Sequence, residues 1–189
     1  MESPNNIPNV QQLRTARERG ILGVLIVALN AAQRQEFFRV VIEQVCAECS
    51  RVLPVLAQRR DPCGTEALAA ARAWLDHGSW PGDAIQRRFD DFYNPFWLAF
   101  SSVSTDQNEC ATAAAYCCER AVQAAYQNNI YTTTQAATTV VDVVAQAARA
   151  DHMVARANIE RWYCEVAWAL FEGSAPPRLP TQPPIKEEV

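Results

Sequence analysis

Apolar and small residues fall three and four positions apart in stretch after stretch of this chain, and that spacing restricts its fold more than any other feature. Phe38, Val41, Val45, Cys49, Val52 and Leu56 form one such stripe. Cys110, Ala114, Cys117, Ala121 and Ala125 form a second, built from small residues that let a neighbouring helix approach closely. Ala137, Val140 or Val141, Val144 and Ala148 give a third, and Ala155, Ile159, Trp162, Val166 and Leu170 a fourth. No stretch alternates as a strand would, and an excess of alanine with only 6 glycines favours helix. Long helices with short connections predict an all-α fold, an antiparallel multi-helix bundle of about six to eight helices.

The punctuation divides the chain into three parts. Residues 1–9, "MESPNNIPN", read as a flexible lead-in. Residues 10–172 read as a single helical domain, a size at which ~68–75% of the unfolded surface can be buried. A first short helix ends at Gly20, and the apolar run Ile21–Leu29 continues into the helix that carries the Phe38 stripe until Pro54 kinks or ends it. Asp61-Pro62 and Gly64 make a turn before a helix with Leu68, Ala71, Trp74 and Leu75 on one side, stopped at Gly78. In "NNIYTTTQ" the threonines are N-cap candidates, and Asp151 suits the N-cap of the last helix. Residues 173–189 carry five prolines and read as a disordered, solvated tail, with "PPRLPTQPP" a candidate polyproline-II ligand.

Charge and cysteine usage narrow the class further. A formal charge of -4 argues against a nucleic-acid partner, which calls for a basic patch. The nine-residue run "ILGVLIVAL" is too short to span a bilayer, which takes ~20 residues, so no membrane association is expected. It is long enough for a signal-peptide core, but a buried helix suits its flanks better, since Asn30 spoils the small-residue cleavage pattern. Seven cysteines, with Cys117 and Cys118 adjacent, do not suit a complete disulfide framework and point to a reducing, cytoplasmic setting.

Residues that could carry chemistry are few. Cys46 and Cys49 are a C-x-x-C pair, but they fall in the middle of a helix and lack the four-ligand pattern of a zinc site. They read first as small buried side chains, and with His77 and His152 they are the metal candidates. Both histidines follow aspartate at inferred helix ends, where capping and dipole roles suffice. No phosphate-binding glycine loop, nucleophile elbow or H-E-x-x-H is present, so neither an enzyme nor a cofactor is expected. The aromatic stretch "SWPGDAIQRRFDDFYNPFWLAF" reads mainly as core. Its charged and aromatic members Trp80, Arg87, Arg88, Asp90, Asp91, Tyr93 and Trp97 are the candidates for a partner-binding face.

The elements "RVLPVL", "RRDP" and "EALAAARAWLDHG", followed by the alanine-rich "ATAAAYCCERAVQAAY" and "TTVVDVVAQAARADHMVARA", resemble the all-helical immunity proteins of bacterial polymorphic toxin systems. The resemblance covers residues 36–170, and its specific part is residues 46–78. The segment "CAECSRVL" is also similar to helices of paralogue-rich planctomycete proteins. The resemblance implies a non-enzymatic protein that occludes a cognate toxin. Two alternatives stand beside it: a metal- or small-molecule-binding helical protein using cysteine and histidine, and a scaffold or homo-oligomer subunit using the small-residue seam.

Overall fold

The computed structural model describes residues 8–52, 69, 71–73, 75–76 and 107–180, and among them every regular element is helical, as the spacing predicts. The elements are α1 (Val10–Glu18), α2 (Leu22–Ala28), α3 (Ala31–Cys49) with a 3-10 turn at Ser50–Val52, α4 (Gln107–Tyr126), α5 (Ile130–Ala147) and α6 (His152–Glu172). Residues 69, 71–73 and 75–76 are also helical; Ala71 is buried, and Leu75 packs against the core.

Local chemistry sets the helix ends. Asn9 and Asn30 each close a reciprocal capping box with the glutamine three residues on, Gln12 and Gln33. The second box overturns the expectation that the apolar run continues into the next helix. Asn30 accepts from the Gln33 N–H at 2.9 Å, Leu29 is extended, and α2 and α3 are separate. The N-cap of α5 is Asn129, not one of the threonines. Asn129 Oδ1 accepts from the Thr132 N–H, while Thr133 and Thr134 lie inside the helix and donate to the carbonyls of Asn129 and Ile130. Asp151 caps α6 as expected, accepting from the N–H groups of Met153 and Val154.

Four helices end in the same left-handed motif. After α6, Gly173 has φ +72° and the Ser174 N–H reaches back to the Ala169 carbonyl at 2.8 Å; Gly20 after α1 behaves alike. Asn128 and Arg149 take this conformation after α4 and α5 without being glycine.

α4, α5 and α6 follow one another as antiparallel neighbours across the short turns 127–129 and 148–151, and α3 packs against all three. α3 runs opposite to α6: the Gln33 amide donates to the Leu170 carbonyl at 2.6 Å, and the Phe37 ring meets Tyr163. The predicted stripe of α3 is buried at Phe38, Val41, Val45 and Cys49, but Phe37, Val40, Ile42 and Cys46 are buried too. Three helices surround α3, so it is covered well beyond one face. Ala114, Cys117, Ala121 and Ala125 of the small-residue seam are all buried within the chain, and α4 lies along α5 over its length. α1 and α2 lie on α6, and Leu25, Ile26 and Leu29 are buried there.

The segment after Gly173 has no regular structure, but its first residues lie against the bundle. Trp162 Nε1 donates to the Pro177 carbonyl at 2.8 Å, and Leu179 is buried. A solvated tail was expected from residue 173, whereas the side chain of Trp162 had one polar atom to satisfy and finds it there. Residues 181–189 lie outside the described residues. Among the described residues, no helix is long and apolar enough to cross a membrane.

Candidate functional site

α1 and α6 enclose an open, charged groove of about 780 Å³. Four arginines line it, Arg14, Arg17 and Arg19 from the α1 end and Arg161 from α6. Opposite charge comes from Glu18, Glu160, Glu165 and Glu172, and Trp168 forms part of the wall. Spacing along the two helices produces this wall. Residues 14, 17 and 18 lie on one face of α1, as do 161, 165, 168 and 172 on α6.

Arg17 fastens the two sides. Its Nε and Nη2 donate to Glu165 Oε2 at 3.0 and 2.5 Å, and its guanidinium carbon stands 5.4 Å from the centre of the Trp168 ring. The hydrogen bond to Glu165 raises the Arg17 pKa above its ordinary value, against a smaller opposing effect of burial. Arg14, Arg19 and Arg161 make no ion pair with other described residues, and neither do Glu18 and Glu172. The groove therefore presents charge of both signs beside the Trp168 ring.

The metal candidates lie elsewhere. Cys46 and Cys49 are buried in α3, where the Cys46 sulfur is 3.5 Å from that of Cys118 on α4. Cys46, Cys49, Cys117, Cys118 and Cys164 are free and buried. The surroundings of Cys46, Cys117 and Cys118 favour the neutral thiol. The hydrogen bond with Cys118 and then burial push the Cys46 pKa far up, and burial pushes Cys117 up to about 12. For Cys118 the hydrogen bond with Cys46 acts downward, but contact with Cys49 and burial outweigh it.

His152 is half-buried at the start of α6, and its Nδ1 pairs with Asp142 Oδ1 of α5 at 2.9 Å. Gln146 also donates to Asp142, so the pair serves as a clasp across the α5–α6 turn. Among the described residues no group of three or more His, Cys, Asp or Glu could hold a metal ion, so Cys46, Cys49 and His152 are not brought into one site. His77 and the partner-binding candidates Trp80, Arg87, Arg88, Asp90, Asp91, Tyr93 and Trp97 lie outside the described residues.

Sequence reading passed over the groove because Arg17 and Glu165 are 148 residues apart and each looks locally like a solvated charge. The arginines of "LRTARERG" were the available signal. Large apolar side chains are also exposed outside the groove, Tyr126 and Tyr131 beside the α4–α5 turn and Met153 and Val154 on the first turn of α6. No protein-family model matches the chain, and no match was found among curated proteins or solved structures.

Proposed function

We propose that this chain is a protein-binding module, of the immunity type that its sequence resembles, and that the groove between α1 and α6 is a recognition surface. The observation that carries the reading is the make-up of the groove, whose lining is mostly arginine and glutamate around Trp168. Small-molecule pockets are mainly apolar with a few polar groups. A wide, open wall of mixed charges suits the side chains of another protein, where complementary charge sets partner choice and association rate. Arginine and tryptophan are also the residue types that most often anchor such contacts. Occlusion of a cognate toxin is the mechanism that the resemblance implies. The cytoplasm is the compartment this reading assigns, supported by five buried cysteines that are all free.

The test is affinity capture with the tagged, reduced protein from its own host, with partners identified by mass spectrometry. A stoichiometric partner that is toxic when expressed alone, and whose capture drops at least tenfold with Arg14→Glu plus Arg161→Glu, supports the reading. A partner whose capture is unchanged by both substitutions would place recognition elsewhere. Recovery of the chain with no partner, or with stoichiometric zinc, would overturn the proposal.

A further inference from the structure

The buried thiols between α3 and α4 bear on a separate property, independent of which partner the chain binds. Cys46 and Cys118 project from two packed helices with sulfurs 3.5 Å apart, and both are free. Cys49, one turn along α3, also lies near enough to Cys118 to help raise its pKa. Small neighbours make the approach feasible: Ala114, Ala121 and Cys117 flank Cys118 on α4, and no large side chain from that stripe separates the helices. A disulfide needs sulfurs at about 2.05 Å, so closure requires an approach of roughly 1.5 Å.

We propose that Cys46 and Cys118 are a dithiol switch that closes to a disulfide and staples α3 to α4 when the chain meets an oxidising low-molecular-weight disulfide. Oxidised glutathione is the co-reactant. A thiolate of one cysteine attacks a glutathione sulfur and releases one reduced glutathione, and the second cysteine then displaces the other. The net change is loss of two protons and two electrons from the cysteine pair, and one glutathione disulfide becomes two glutathione thiols. The buried thiols react as thiolates only on local opening, so the step is slow in the closed fold. Reopening is the reverse exchange, in which two reduced glutathione thiols restore Cys46 and Cys118 and leave as one glutathione disulfide. The staple spans 72 residues, so it fixes both ends of the long segment between α3 and α4.

The experiment incubates the full chain with oxidised glutathione, in enough urea to speed local opening without unfolding, then blocks remaining thiols and maps peptides by mass spectrometry. The expected result is a loss of 2 Da, a linked Cys46–Cys118 peptide, and a thermal midpoint raised by about 5–10 °C that reductant reverses. The link should persist in Cys117→Ala and vanish in Cys118→Ala. If Cys118→Ala does not fold, differential alkylation of the wild-type chain decides the matter, since only Cys46 and Cys118 should become protected. A chain with all 7 cysteines still alkylated overturns the proposal, and so do links confined to other cysteines.

Discussion

The thiol junction between α3 and α4 and the charged groove between α1 and α6 each set polar side chains against a helix interface, with opposite results. At the junction, Cys46, Cys49, Cys117 and Cys118 are cut off from water, and the neutral form is favoured at each thiol with a shifted pKa. In the groove, Arg17 and Glu165 keep roughly a third of their side-chain surface in solvent while they pair. Access to water decides the difference, because desolvation penalises a charge far more than a thiol. The junction therefore carries stability, and the groove keeps its charges solvated at little stability cost.

The largest expected effect is on the dry side, and it appears as alkaline lability. Unfolded thiols ionise near their ordinary value of 9.0, while burial holds Cys117 protonated up to about 12 and Cys164 up to about 11. Between these limits the unfolded chain binds fewer protons than the folded one, so stability falls as pH rises. Each such thiol accounts for about 1.4 kcal/mol per pH unit. Urea midpoints measured from pH 8 to 11 should fall steeply above 9, and Cys117→Ala should flatten the slope. A flat profile would mean that water reaches the junction.

Next in size is Cys118→Ser, which places a more polar hydroxyl at a fully buried position beside the Cys46 sulfur. It should destabilise by about 1–3 kcal/mol in denaturant titration. On the groove side, Gly20→Ala should cost about 1 kcal/mol, because φ is +70° there with no atom near an added Cβ. Three residues on, Gly23→Ala should have the opposite sign and stabilise α2 by about 0.5–1 kcal/mol, since it is helical and equally unobstructed. Arg17→Gln should be smallest, below about 1 kcal/mol and weaker still in high salt. A loss above 2 kcal/mol for Arg17→Gln would show that the groove is drier than its geometry implies, and would erase the contrast.

The dry side was the more legible in sequence. The stripes on α4, α5 and α6, the Asp151 cap and the stops at Gly20 and Gly173 follow from local spacing and local backbone chemistry, which adjacent residues carry. The helix break at Asn30 was legible too, because Gln33 completes its capping box, but the apolar run masked it. The burial of α3 beyond one face was not, because it depends on how many helices gather around it. Nor could spacing join Cys46 to Cys118 or Arg17 to Glu165, pairs made only by packing. Tyr163 illustrates the same limit. Its hydroxyl donates to the Thr134 carbonyl and meets Thr138 on α5, a buried bridge with no local signature.

The lodging of α1 and α2 on α6 has a consequence for synthesis on the ribosome. Arg17 emerges 148 residues before the glutamate it clasps, and Leu25, Ile26 and Leu29 emerge nearly as early relative to the surface that covers them. At ~5–20 residues per second, that interval is roughly 7–30 s. Over that time the apolar face of α2 has no α6 to rest on, while α4, α5 and α6 meet their neighbours as soon as each is made. α1 and α2 are thus made well before the helix that shelters them.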